Sequence, residues 1–254
     1  VTQKSFAKVN IFLKIAGKRE QYHELVSRFV RVHSLYDIVS FEKGDFNEFT
    51  LIGKFGCETK KNTIYKAYEK LKEISPNVEV YFKNHCVKVE KNIPEFAGLG
   101  GGSSNCATFI NMVNKACNLG LSKDELCKLA TPIGADVPFF IYEYDSANVT
   151  GIGEVVEEFE EEILNIEIVT PQIECNTGAI FKSFREKFYK EIEPSKAKEL
   201  LALSSKEILK QLDIKNANDL YEPALDNYPQ LNSYNKKDWY FSGSGSSFFR
   251  IINE

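Results

Sequence analysis

The sequence predicts a mixed fold of strands and helices built as two parts, and three stretches carry that reading. Residues Phe6 to Ile15 alternate, with Ala7, Val9, Ile11, Leu13 and Ile15 on one strand face and Lys8, Asn10 and Lys14 on the other. The run Ile93 to Ser104 leads through a cluster of glycines into Cys106, Ile110, Val113 and Cys117 at helical spacing. The turn Thr150-Gly151-Ile152-Gly153-Glu154 is followed by a new strand-and-helix pattern, which places a change of domain close to it. A chain of 254 residues has room for one large domain or two modest ones.

Taken in order, the strand at 6–15 reads as half-buried, with Lys8 beside Asn10 either a solvated face or a pair for a polar ligand. Gly17-Lys18-Arg19-Glu20-Gln21 reads as a turn closed by Tyr22-His23. Further strands are expected at Phe29–Leu35, Ile38–Phe41 and Phe49–Ile52. Asn62 or Thr63 caps a helix with Ile64, Ala67, Tyr68 and Leu71 on one side. Val78–Phe82 and Cys86–Glu90 read as a strand pair leading to the glycines. Ser103 or Ser104 is placed to cap the next helix. Ser122-x-x-Glu125 is a capping box for another, which Thr131-Pro132 ends. Gly134-Ala135-Asp136-Val137-Pro138-Phe139-Phe140-Ile141 reads as a turn and a buried strand. An acid there is either a turn former or an ion-pair partner at a reaction centre. In the second half a strand is expected at Ile163–Val169 and a helix capped by Thr177 with Ile180, Phe184 and Phe188 on one face. Ser204-x-x-Glu207 repeats the capping box, and Asn218-Asp219-Leu220 precedes a helix start at Glu222-Pro223. Strands at Trp239–Phe241 and Ser247–Ile252 flank the turn Ser242-Gly243-Ser244-Gly245-Ser246, which by itself is a tight hairpin.

Ile93-Pro94-Glu95-Phe96-Ala97-Gly98-Leu99-Gly100-Gly101-Gly102-Ser103-Ser104 holds four glycines among five residues and then opens a helix. Such a loop lets backbone lie against a ligand and aims N–H groups and a positive dipole end at an anion, above all a phosphate. The plainer alternative is a flexible linker before a capped helix. A Walker A loop needs Lys after its last Gly, where Ser103 stands, and the Rossmann pattern lacks its third Gly at the same residue. A Lys for phosphate chemistry therefore has to come from another segment.

The formal net charge of −4 argues against a general nucleic-acid binder. No apolar run approaches the roughly 20 residues of a membrane helix. Of the six cysteines, Cys57, Cys86, Cys106, Cys117, Cys127 and Cys175, none forms a C-x-x-C pair. They read as buried free thiols rather than a disulfide framework or zinc site, which points to a reducing, cytoplasmic setting.

Together these segments resemble the GHMP kinase superfamily of small-molecule kinases. The matching stretches are 7–13, Tyr22-His23-Glu24-Leu25, Pro94 to Ser104, Gly134 to Phe140, Gly151-Ile152-Gly153-Glu154, Asn218-Asp219-Leu220 and 241–246. The Tyr-His pair and the three glycines before two serines narrow the resemblance to members that phosphorylate a cytidylated methylerythritol. Two departures stand out. Glu20-Gln21 sits where Asp-Gly is common, in a loop one residue shorter, and Asn176 precedes Thr177 where a Ser is usual.

The resemblance implies an α+β fold of two domains, residues 1–152 and 153–254, with the active site in the cleft between them. It implies transfer of the γ-phosphoryl group of ATP, with Mg²⁺, to the tertiary 2-hydroxyl of the methylerythritol unit. Pro94, Glu95, Phe96, Ala97, Gly98, Leu99, Gly100, Gly101, Gly102, Ser103 and Ser104 would wrap the ATP phosphates. Lys8 and Asp136 would meet at the substrate hydroxyl, Asp136 as base or as the group that orients that hydroxyl and accepts its proton, and Lys8 keeping Asp136 ionised and stabilising charge on the transferring phosphoryl. Asn10 would hold the methylerythritol hydroxyls. Tyr22 and Phe181 would sandwich the cytosine, with His23 on its edge, Thr177 as a polar contact and Lys91 near the nucleotide. The partner is a small molecule, with neither nucleic acid nor membrane, and the chain is expected as a monomer or weak homodimer. Two alternatives stay open: a kinase of another small alcohol such as mevalonate or homoserine, and a silent nucleotide-binding module on the same fold.

Overall fold

β1 (Thr2–Arg19) and β2 (Tyr22–Lys43) are long neighbouring strands, and each runs through both of the two compact units into which the chain divides. The computed structural model describes residues 1–20 and 22–252. Gln21, in the turn expected at 17–21, lies outside the described residues. The first unit comprises Val1–Ala7, Leu35–Ile93 and Gly101–Glu143, and the second Lys8–Ser34, Pro94–Gly100 and Tyr144–Glu254. These units do not coincide with a cut at 152/153. They interleave because β1 and β2 serve both, and the last segment of the second unit begins at Tyr144.

In the first unit the later half of β2 pairs antiparallel with β4 (His85–Glu90), from Ile38 opposite Glu90 to Lys43 opposite His85. β3 (Leu51–Ile52) adds to β4 in parallel. α1 (Thr63–Ile74) starts as its sequence predicts: the Asn62 side chain accepts the Ile64 N–H, and Ile64, Ala67, Tyr68 and Leu71 are buried. Residues 78–82, expected as a strand, belong instead to α2 (Pro76–Lys83). Ser75 caps it, Pro76 presets its first turn, and Val78 and Phe82 bury one face at i, i+4. α3 (Gly101–Ala116) begins two residues before Ser103, so neither serine is its cap and both lie in its first turn. α4 (Lys123–Ala130) has the predicted capping box of Ser122 and Glu125. The apolar run after Asp136 is α5 (Val137–Tyr142), not a strand, with Pro138 in its first turn. Phe41, Phe49, Tyr68, Phe82 and Phe109 form the aromatic centre of the unit, with Phe49 stacked on Tyr68 at 4.1 Å.

In the second unit the earlier half of β2 pairs antiparallel with β5 (Ser146–Thr150), which turns at the glycines of 151–154 into β6 (Val155–Glu158). The expected turn is there, and it joins the two strands of this hairpin. β7 (Ile166–Val169), β8 (Tyr240–Phe241) and β9 (Phe248–Ile251) form an antiparallel sheet in the order 7-9-8. α6 (Thr177–Ser183) is capped by Asn176, whose side chain accepts the Ala179 N–H, so the cap lies one residue before Thr177. α7 (Pro194–Ala202), α8 (Ser205–Gln211), α9 (Ile214–Ala217) and α10 (Tyr221–Asn227) follow, with the Ser204/Glu207 capping box present on α8. Leu13, Ile15, Ile180, Phe184, Tyr221, Phe241 and Phe248 belong to one buried cluster. β1 is buried on both faces there: Lys8 and Asn10 are as enclosed as Val9 and Ile11, so the half-buried strand of the alternation is not what forms.

Candidate active site

Burying an ammonium is costly unless its protons find acceptors, and in the second unit Lys8 has them. Its Nζ donates to Asn10 Oδ1 at 2.6 Å and lies 4.4 Å from the centre of the Phe29 ring. Asn10 Nδ2 donates to Ser27 Oγ at 3.0 Å, and that hydroxyl donates to the Phe12 carbonyl. The Lys8–Asn10 pair expected on one strand face therefore exists, inside the protein rather than on a solvated face.

The glycine loop is shared between the units, Pro94–Gly100 in the second and Gly101–Ser104 in the first. Its first part is held by backbone. Lys8 N–H donates to Leu99 O at 2.9 Å, Ser242 Oγ to Gly98 O at 2.9 Å, and Ser247 N–H to Ala97 O at 3.1 Å. Gly98 has φ +74°, and a Cβ there would stand 2.1 Å from Ser242 O. Only glycine fits, for reasons of conformation and space alike. The Ser242–Ser246 turn, a plain hairpin by its own sequence, is thus also a clamp on the loop. Asn218 fixes that clamp: its Nδ2 donates to Phe241 O at 3.0 Å and Gly243 O at 2.9 Å, and its Oδ1 accepts the Leu220 N–H. Ser242 and Asn218 were not among the site residues expected from sequence. The signal for them was the Gly/Ser repeat at 242–246 and the 218–220 match.

The aromatic site lies on the same unit. His23 is 8% exposed, and its Nε2 is buried without a hydrogen-bond partner among the described residues. Its ring stacks on Phe181 at 5.4 Å and 22° and meets the edge of Phe184 at 5.6 Å. Burial first, then Arg185 and Lys18, lower its pKa below the usual 6.5 and favour the neutral imidazole. Tyr22 is exposed, so Phe181 has His23 as its stacking partner here. Thr177 Oγ1 and Ser244 Oγ share a hydrogen bond of 2.7 Å, tying α6 to the clamp turn.

In the first unit the loop becomes α3. The opening N–H groups of a helix lack intrahelical acceptors, which makes this end a seat for an anion. Thr63 Oγ1 donates to Gly102 O at 2.8 Å, and Ser104 Oγ bonds Ser5 Oγ at 2.8 Å. Lys91 is largely enclosed. Its Nζ donates to Asn105 Oδ1 at 2.9 Å and pairs with Asp37, whose carboxylate is fully buried. Asp37 also accepts the N–H groups of Asn92 at 2.6 Å and Ile93 at 2.8 Å, which fixes the entry to the loop. Asp136 directly precedes α5, half-buried, and makes no capping bond to that helix. The turn carrying it abuts the loop, since a Cβ on Gly134 would lie 3.5 Å from Ser103 Oγ. Among the described residues no three His, Cys, Asp or Glu side chains gather as a metal site.

Comparison with known proteins adds an independent line. Residues 62–144 match the family model for the GHMP kinases N terminal domain. The chain is 53% identical over 254 residues to a Sulfurimonas denitrificans protein named 4-diphosphocytidyl-2-C-methyl-D-erythritol kinase, covering 98% of this chain and 96% of that protein. Proteins of the same name from Sulfurovum sp. and Campylobacter jejuni are 47% and 41% identical, with coverage of 96% of both chains in the first case and 98% and 99% in the second. A solved 4-(cytidine 5'-diphospho)-2C-methyl-D-erythritol kinase aligns with TM-score 0.75 at 26% identity, covering all of this chain and 90% of that one. A mevalonate kinase structure, TM-score 0.64 at 14% identity over 100% of this chain and 91% of that one, shares the fold.

Proposed function

The chain belongs to the 4-diphosphocytidyl-2-C-methyl-D-erythritol kinase family of GHMP kinases, and from that premise we propose that it phosphorylates the 2-hydroxyl of that cytidylated alcohol with ATP. The observation that carries the choice of substrate is His23, a buried imidazole whose pKa burial lowers and whose Nε2 has no hydrogen-bond partner among the described residues, stacked on Phe181. A flat base offers both the hydrogen-bonding edge and the ring face that such a site can use, whereas mevalonate and homoserine offer neither.

Phosphoryl transfer asks mainly for positioning and charge neutralisation. The loop from Pro94 to Ser104 receives the ATP phosphates on its backbone and on the N-terminus of α3. The Ser103 hydroxyl is a hard oxygen donor that would hold Mg²⁺, and the ion would supply further charge neutralisation when bound. Asp136 accepts the proton of the substrate hydroxyl as its oxygen bonds the γ-phosphorus and the bond to ADP breaks. Lys8 offsets negative charge on the transferring group, and Asn10 both orients Lys8 and meets the methylerythritol hydroxyls. Thr177 and Phe181 flank the base with His23, and Tyr22 covers it from the solvent side. Lys91 serves the nucleotide end through Asp37 and the first turn of α3. The proposed compartment is the cytoplasm, suited to the five buried free thiols Cys86, Cys106, Cys117, Cys127 and Cys175.

An ADP-release assay with ATP and Mg²⁺ tests this reading, offering diphosphocytidyl-methylerythritol, mevalonate and homoserine in parallel. Turnover is expected with the first alone. Turnover with either of the others overturns the substrate, and silence with all three overturns the enzyme.

A further inference from the structure

Ser27 stands on β2 opposite Val149 of β5 and is fully buried. Successive residues of a strand face opposite ways, so its neighbour Arg28 serves the other side of the sheet. Arg28 anchors that side: its Nε donates to Asn148 Oδ1 at 2.8 Å, and its Nη2 to the carbonyls of Leu201 and Leu203 at 3.1 Å. With β2 fixed there, the Ser27 hydroxyl is held at a set place beside β1. A chain of hydrogen bonds runs from it to Lys8. Ser27 Oγ donates to the Phe12 carbonyl at 2.5 Å, Asn10 Nδ2 donates to Ser27 Oγ at 3.0 Å, and Lys8 Nζ donates to Asn10 Oδ1 at 2.6 Å.

Both ends of this chain dictate its polarity. A backbone carbonyl only accepts, so the Ser27 proton goes to Phe12 and a lone pair is left for Asn10. An ammonium only donates, so Lys8 needs the oxygen end of the amide. Turning the amide over would set its NH₂ against the ammonium and its oxygen against a hydroxyl whose proton is committed. We propose that Ser27 is a positioning residue for phosphoryl transfer: its hydroxyl fixes the Asn10 amide the way round that presents Oδ1 to the Lys8 ammonium. Asn10 and Lys8 are both buried, so an amide that loses this acceptor has an unmet N–H and no fixed orientation to offer the cation. A shift of the ammonium weakens charge stabilisation in the transition state and leaves the glycine loop as it was. The inference rests on the roles of Lys8 and Asn10 in the proposed function and concerns what orients them.

The test combines steady-state kinetics with amide exchange on the full chain. Turnover is measured with ATP, Mg²⁺ and whichever of the three alcohols the wild-type chain phosphorylates. Ser27→Ala should lower kcat about tenfold, as loss of one buried hydrogen bond implies, with KM for ATP within about twofold of wild type. Ser27→Thr and Ser27→Val share one shape and differ in the hydroxyl, so the Thr variant should exceed the Val variant about tenfold in kcat. In an Asn10→Ala background, Ser27→Ala should cost less than about twofold, because the two residues act as one unit. The Asn10 side-chain NH₂, identified in isotope-labelled spectra by its absence from Asn10→Ala, should exchange with solvent at least about tenfold faster in Ser27→Ala. The inference is overturned if Ser27→Ala turns over at the wild-type rate, if Thr and Val variants are equal, or if the effects of Ser27→Ala and Asn10→Ala simply multiply. Unchanged exchange of the Asn10 amide in Ser27→Ala overturns it as well. If the wild-type chain phosphorylates none of the alcohols, the proposed function fails, and the exchange rate alone decides whether Ser27 fixes the amide.

Discussion

Asp136 separates two chemical fates that sequence leaves open for an acid between a turn and an apolar run. A carboxylate that merely starts a helix bonds the first N–H groups of that helix, as Asp213 does for α9 through Asn216. Asp136 makes no such bond to α5, so its carboxylate is not consumed by capping. Asp136→Asn keeps the size and removes the base. Its kcat should fall by about 10² to 10⁴-fold, with ATP affinity within about twofold of wild type. Steady-state kinetics and a nucleotide titration on the same preparation check both, and near-normal turnover would remove Asp136 from the mechanism. Lys8 and Asn10 were singled out by their shared strand face together with the family resemblance, and the glycines by their density in one loop ahead of a helix. Asn218 and Ser242 were not, since they work through backbone carbonyls and nothing in an Asn or a Ser announces which carbonyl it will meet.

Elements with local start signals were legible in sequence. Asn62 before α1 and the capping boxes of α4 and α8 form as expected, because a cap and the turn it closes lie within four residues. The failures of element type were α2 and α5, both short apolar runs that satisfy strand and helix patterns alike. Pro76 and Pro138 were the better guides, since proline fits a first helical turn and not a paired strand. The glycine loop shows what neighbouring elements add. Its conformation depends on Ser242, 144 residues beyond Gly98 in sequence. Ser242→Ala removes one hydrogen bond, which is worth about 1 kcal/mol in stability. Gly98→Ala adds a left-handed alanine, of order 1–2 kcal/mol, and a Cβ 2.1 Å from a backbone oxygen that cannot yield. KM for ATP should rise in both variants and Tm fall in both, by more in Gly98→Ala. An unchanged KM for ATP in both would show that the clamp does not set the loop.

At the scale of the whole chain, the division into interleaved units was the least legible feature, because it follows from two strands long enough to serve both, and no turn in the sequence marks it. Acid stability is likewise a property of the whole, set by groups whose proton affinity changes on folding. His23 has a folded pKa below its ordinary 6.5, chiefly through burial. The unfolded chain therefore binds this proton more readily, and stability is lost as pH falls below about 6.5 toward the folded value. A second window lies lower. Glu125 accepts the N–H and hydroxyl of Ser122, and Glu207 those of Ser204, which hold both carboxyls below the usual 4.5. Asp226 is held down by Lys187 and Ser183. Carboxylates lowered on folding stabilise above their unfolded pKa, and that contribution goes as pH falls through their folded values. Thermal melts from pH 8 to pH 3.5 should thus show a plateau above about 6.5, a shallow decline below it, and a steeper one below about 4.5. In His23→Gln the shallow limb should flatten while the steep limb remains. If the shallow limb persists unchanged in that variant, His23 is not the group kept neutral by folding, and its role as a neutral partner for a base edge falls with it.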